Sequence, residues 1–216
     1  PKKRLSNTQL LEILPNYIKP MASPFTDVEV TSEYFAQASD AITGRITLNN
    51  TGSTTKYIQT DAFCKLIPFG QGKQAGVQQQ GINKIFAGHC GDIYPCFFIT
   101  GGPEHNFGQS SSLRLSADLA AKGSITYTWA MVSSNSLEES FSRAKQLISL
   151  DWESTASYLE LLNKSELVDF HTGNPEWDRL LYLTQIKALS LLISIDGGQT
   201  PRFSYRKSRN PDQGYT

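Results

Sequence analysis

Apolar and polar positions follow a period of two through residues 1 to about 133 and a helical period after Ser136. Ile46 and Leu48 alternate with Arg45, Thr47 and Asn49, and Asn50-Thr51-Gly52-Ser53 supplies a turn. The run from Lys56 to Leu66 places Ile58, Thr60, Ala62, Cys64 and Leu66 on one face. Leu113, Leu115, Ala117 and Leu119 alternate with Arg114, Ser116 and Asp118. Ile125, Tyr127, Trp129 and Met131 line one face of the next run, with Thr126 and Thr128 opposite. Asp27 to Thr31, Lys84 to Ala87 and Ile93 to Thr100 read as further strands. Alternation of this strength marks half-buried antiparallel strands, and about seven of them with turns between favour a β-sandwich. The Gln- and Gly-rich stretch Gly70 to Gly81 has little to bury and reads as a mobile loop.

The period changes at Ser136. Ser136 and Glu139 form a capping box, and Leu137, Phe141, Ala144, Leu147, Ile148, Trp152, Ala156 and Leu159 follow at helical spacing. No Pro or Gly interrupts residues 136–172, so one long helix to about Leu162 is predicted. Leu167, Val168 and Phe170 read as a short buried connector. Asn174 caps a second helix with Pro175 in its first turn, and the helix runs to near residue 195, ahead of Gly197-Gly198. That helix carries Leu180, Leu181, Leu183, Leu189, Leu191, Leu192 and Ile193, too many for one apolar face. It therefore needs cover on several sides, from another chain or from later helices of the same protein.

The whole is an α+β chain: an antiparallel β-sandwich followed by two α-helices. The expected division is 1–133 for the sandwich, 134–173 for a helical linker and 174–216 for the second helix and its tail. The length of 216 residues suits one large domain, or one domain plus part of another. Lys plus Arg equals Asp plus Glu at 20 each, which argues against a general electrostatic binder of nucleic acid or of an anionic membrane surface. No run approaches the length of a membrane span. Cys64, Cys90 and Cys96 form no disulfide framework and suit a reducing, cytoplasmic compartment, with a Cys90–Cys96 bridge as the one pairing left open. The chain starts at Pro1 without an initiator Met, so its start reads as processed, trimmed or internal.

Few residues carry chemistry. His89, Cys90, Asp92 and Cys96 are metal-ligand types, but their spacing matches no closed zinc pattern, so no metal and no cofactor is expected. Glu138 and Glu139 serve a first helical turn. Asp151 with Glu153, and Glu176 with Asp178, are two apart on helices and point in diverging directions. Glu104 beside His105, in a Gly-Gly-Pro loop, is the one local acid candidate, and a turn role is the plainer reading. There is no G-x-S-x-G and no phosphate loop. In the tail, Arg202, Arg206, Lys207 and Arg209 interleave with Phe203, Tyr205 and Tyr215. Such a loop suits an anionic ligand or stacking on sugar rings, with Arg209, Asp212 and Tyr215 as the groups to test; a solvated loop or a ragged chain end is the plain alternative.

The order of parts then resembles a known group. A polar sandwich, a linker with Asp151-Trp152-Glu153, and an apolar helix entered by Thr172-Gly173-Asn174-Pro175-Glu176-Trp177-Asp178 are similar to the six-hairpin glycosidases, the (α/α)6-barrel glycoside hydrolases. Gly101-Gly102-Pro103-Glu104 and the run Leu113 to Met131 look like their N-terminal domain. Ser208-Arg209-Asn210-Pro211-Asp212-Gln213-Gly214-Tyr215 looks like the loop after their first barrel helix, which approaches the sugar. The resemblance implies the N-terminal part of a glycoside hydrolase acting on an oligosaccharide or glycoside, inactive alone, with catalytic carboxylates on later barrel loops. It implies that the sandwich is supersandwich-like and that the two helices begin a helical barrel, with 174–216 as the first helix and loop of an incomplete (α/α) barrel domain. It implies a carbohydrate ligand, and a remaining barrel domain or another chain over the Leu180–Ile193 helix. The alternative is a stand-alone β-sandwich module for carbohydrate binding or protein interaction, and a weaker third reading is a sandwich enzyme using Glu104 and His105.

Overall fold

The computed structural model describes residues 8–63, 73–107, 111–190, 192–194 and 203–205. The chain divides into two compact units, Pro1–Leu150 and Asp151–Thr216.

The first unit is built on an eight-stranded antiparallel sheet. Its strands are β1 (Gln9–Leu14), β2 (Tyr17–Phe25), β3 (Val28–Ala38), β4 (Ala41–Asn50), β6 (Lys73–Gln80), β7 (Asn83–His89), β8 (Tyr94–Ile99) and β11 (Ser124–Ser134). They lie in the order β1-β2-β3-β4-β11-β8-β7-β6. A second sheet of three strands, in the order β5-β10-β9, consists of β5 (Lys56–Ala62), β9 (Glu104–Asn106) and β10 (Ser112–Leu119). The α+β class and the sandwich stand as the alternation predicts.

The central strand β11 feeds two cores. Tyr127 and Trp129 pack with Leu48, Phe86, Ile99, Leu113, Leu115 and Leu119, which is where the small sheet covers the large one. Ala130 and Val132, on the opposite face, pack with Ala41, Ile85, Ala87, Cys96 and Phe98 under helix α1 (Leu137–Ile148). Phe141 meets Phe98 edge to face at 5.4 Å. Ser140 is fully buried and ties the helix to the sheet: its Oγ donates to the Tyr94 carbonyl at 2.6 Å and accepts from the Ser134 amide at 2.8 Å. Ser136 caps α1 as predicted, its Oγ accepting from the Glu139 amide at 3.1 Å.

Several expectations are corrected. The Gln-rich stretch read as a loop contains β6, which pairs with β7 through Val77 opposite Phe86 and Gln78 opposite Ile85. Gln78 Nε2 also donates to the Ala87 carbonyl at 3.1 Å, so a polar side chain strengthens the pairing that the composition hides. Gly81, at φ +61, starts the two-residue turn. The long helix is two: α1 ends at Ile148, and α2 (Trp152–Glu166) restarts after Asp151. Ser149 Oγ turns back onto the Lys145 carbonyl at 2.8 Å, while Asp151 accepts from the Ser154 hydroxyl, so the two helices have separate ends. Strands β1 and β2 carried no clean alternation and extend the sheet beyond the strands read from the sequence.

In the second unit, α3 (Pro175–Ser190) starts where predicted, with Asn174 Oδ1 accepting from the Glu176 amide at 2.9 Å. It stops earlier than residue 195, because Leu192–Ser194 (β12) pairs antiparallel with Phe203–Tyr205 (β13), strands where the sequence suggested helix and loop. Gly197-Gly198 lies outside the described residues. The connector is not buried: Val168 and Phe170 are exposed. It is held by its backbone instead, since the Gln185 amide accepts from the Val168 N–H and donates to the Val168 carbonyl, each at 2.8 Å.

Gly44 makes a sharp test of the large sheet. A Cβ there would lie 2.5 Å from the Trp129 ring and 2.4 Å from the Glu33 carbonyl oxygen. Gly44→Ala is expected to cost about 2 kcal/mol, read as a lowered urea midpoint at constant slope. Gly76→Ala, where nothing stands within 4 Å, is the control and should hold or slightly raise the midpoint.

Candidate functional site

The residues singled out for sugar contact, Arg209, Asp212 and Tyr215, lie outside the described residues. Arg202, Arg206 and Lys207 lie outside them as well.

The other sequence candidates resolve into structural roles. Cys96 is fully buried in the sheet, opposite Ala87 and Val132, and Cys90 is half-buried at the β7–β8 turn; both are thiols. His89 packs its ring against Tyr94 at 6.0 Å. Glu104 and His105 sit on β9, an edge strand rather than a loop, with Glu104 opposite Arg114 and His105 opposite Leu113. His105 Nε2 meets Ser111 Oγ at 2.7 Å, and its ring stacks on Phe107 at 3.8 Å. Asp151 is held below the usual carboxylate range first by the Ser154 hydroxyl. Asp178 is held down first by the Thr172 hydroxyl and then by the Thr172 amide. Both carboxylates are thus committed to helix starts.

The structure brings together two charged clusters that sequence spacing did not reveal. The first surrounds Glu33 on β3, only 3% exposed. Its carboxylate accepts from the Arg45 guanidinium, from Tyr17 OH at 2.6 Å, and faces Lys19 at 3.8 Å. Register places Glu33 opposite Arg45, and Tyr17 enters from β2. Burial pushes the Glu33 carboxyl up, but the bonds from Arg45 and Tyr17 outweigh it and leave it below the ordinary value of 4.5. Burial, then the Glu33 carboxylate, pushes the Tyr17 phenol up. No sequence signal pairs residues on different strands before the register is known.

The second cluster lies on the outward side of the small sheet. Arg114 grips Asp61 with two bonds, Nε to Oδ1 at 2.9 Å and Nη2 to Oδ2 at 2.8 Å. Ser112 Oγ donates to Asp61 Oδ1 at 3.2 Å, and Asn106 Nδ2 donates to Ser112 Oγ at 3.2 Å. Asp61 is held below its usual range chiefly by Arg114. The alternation Arg114, Ser116, Asp118 was legible; the partner Asp61 was not.

A cleft of about 440 Å³ opens at the β3–β4 turn, lined by Asp40, Ile42, Ile93, Met131, Ser133 and Asn135 among others. Asp40 there is ion-paired with Arg143 of α1. Among the described residues, no group of His, Cys, Asp and Glu gathers for a metal, and no helix is long and apolar enough to cross a membrane. On α3, Ile186 is buried, while Trp177 and Leu180 are 60% and 58% exposed and Leu183 is exposed too. Leu189, Leu191, Leu192 and Ile193 have side chains outside the described residues.

No family model matches the sequence, and no curated protein matches it. Among solved structures, the chain is similar to one titled "Putative kojibiose phosphorylase from human microbiome", with a TM-score of 0.58 and 9% identity. That match covers 83% of this chain and 27% of the other. A bacterial glucoamylase complexed with acarbose matches at a TM-score of 0.47 and 8% identity, over 87% of this chain and 29% of that one. The chain therefore spans a little over a quarter of each of these two structures. The first likeness is one of fold.

The Glu33 cluster predicts a pH dependence. A carboxyl whose folded value is depressed stabilises the fold fully above its unfolded value near 4.5, and that contribution is lost as pH falls through the folded value. Glu33→Gln should cost about 3 kcal/mol near neutral pH. The gap to the parent should narrow as urea midpoints are measured down a pH series to about pH 3. A gap independent of pH would contradict the assignment.

Proposed function

We propose that the chain is the N-terminal part of an enzyme that cleaves glycosidic bonds in an oligosaccharide or glycoside, with its catalytic carboxylates outside these residues. In this reading residues 1–133 are the sandwich domain, 134–173 the helical linker and 174–216 the opening of an (α/α) barrel. The observation that carries it is the exposed apolar stripe of α3, Trp177, Leu180 and Leu183, in a chain whose fold matches part of a much longer protein. Water disfavours such a stripe, and neighbouring helices of a barrel would cover it.

Hydrolysis of a glycosidic bond needs an acid to protonate the leaving oxygen and a second carboxylate on the opposite face of the sugar; with inorganic phosphate as acceptor the acid is still needed and phosphate itself attacks the anomeric carbon. The helix-capping roles of Asp151 and Asp178 and the edge position of Glu104 leave those tasks to other residues. Arg209, Asp212 and Tyr215 are proposed to touch the sugar, since guanidinium and carboxylate bond hydroxyls and a phenol ring offers a flat face.

The purified 216-residue chain should turn over no glycoside, with or without phosphate, while a protein extended along its reading frame through a full barrel should do so. Reducing-sugar release and sugar-phosphate formation read the two acceptors. Activity of the 216-residue chain that Glu104→Gln abolishes would overturn this reading in favour of a sandwich enzyme.

A further inference from the structure

We propose that the outward face of the three-stranded sheet is a docking platform for a neutral oligosaccharide chain. The register of β5 against β10 sends Ile58, Ala62, Leu113 and Leu115 to the core. It sends Tyr57, Gln59 and Asp61 outward, and the exposed Phe63 follows directly after the strand. Tyr57 and Phe63 are each 63% exposed, so both rings are open to a ligand. Six residue steps set them at most about 20 Å apart, a span for several sugar rings laid end to end.

Between the two rings the polar groups are already oriented. Gln59 Nε2 donates to Tyr57 OH at 3.0 Å and reaches Ser116 Oγ at 3.5 Å on the neighbouring strand. Arg114 and Asp61 hold each other in a fixed fork. Groups locked this way lose little freedom when a ligand arrives. The charge selects the ligand. Arg114 neutralises Asp61, while Glu104 opposite Arg114 and Asp118 opposite Tyr57 leave the face acidic. Such a surface repels phosphate or sulfate chains and accepts bonds from hydroxyls. A pyranose supplies both features required, an apolar C–H face for a ring and a rim of hydroxyls for amides and carboxylates.

This site belongs to the first unit and goes beyond the proposed cleavage, so the two fail separately: one is read by binding, the other by turnover. The test is native electrophoresis of the whole chain through gels containing soluble starch, laminarin or xylan, with heparin as an anionic control. Retardation is expected in at least one neutral gel and none with heparin. Tyr57→Ala and Phe63→Ala should each weaken it roughly tenfold, with thermal unfolding unchanged. Gln59→Ala should weaken it less, and Tyr158→Ala, an exposed aromatic of α2, should leave it intact. No retardation in any neutral gel, equal retardation by heparin, or binding indifferent to both Tyr57→Ala and Phe63→Ala would overturn the proposal.

Discussion

Strand β11 has to satisfy two cores at once, and the rest of the first unit follows from that constraint. It is paired on both sides, with β4 and β8, so neither of its edges is open to water. Where both of its faces are covered as well, it is apolar on both, and the two faces differ in size to suit what covers them. Large rings, Tyr127 and Trp129, point to the small sheet, where a gap of about 10 Å between sheets has to be filled. Small side chains, Ala130 and Val132, point to α1, which brings its own bulk in Phe141, Leu147 and Ile148. The helix thereby covers one of the two cores that meet at β11.

The helix-side face does not stay apolar across the whole sheet. Following the register outward from β11, Thr128 stands opposite Arg45, and Arg45 opposite Glu33. The sheet thus passes from a dry zone beneath α1 to a buried ion cluster three strands wide. A buried charge is tolerable because three partners, Arg45, Tyr17 and Lys19, converge on it. Removing a partner would leave the carboxylate buried without enough compensation, so the cluster fixes the register of β2, β3 and β4 more sharply than their apolar pattern does.

What could be read in advance was whatever repeats along the chain. Leu113 to Leu119 and Ile125 to Met131 declared themselves by alternation, and Ser136 and Asn174 declared helix starts by side-chain chemistry. The misses share a cause. Strand β6 forms because a partner strand accepts it, and Gln side chains carry no period to betray that. The break after Ile148 needs neither Pro nor Gly; Asp151 followed by Ser154 was the available signal, hidden by continuing apolar spacing. Salt bridges between strands depend on register and were invisible. Of the candidate site, the outward polarity of Arg114 and Ser116 was legible, but its meeting with Asp61 and Gln59 was not.

The contact of Trp129 with Gly44 has a meaning for descent as well as for packing. The indole lies over the bare backbone of β4 and reaches Tyr34 on β3, ring centroids 5.6 Å apart and nearly edge to face. One strand is bridged by a side chain that occupies the space its neighbour vacates. Neither position is therefore free to drift alone. In a homologue, a side chain at the place of Gly44 demands a smaller residue at the place of Trp129, and an indole demands glycine. Two positions far apart in the chain are inherited as one character, and their joint variation would trace this sandwich through sequences too diverged for ordinary alignment.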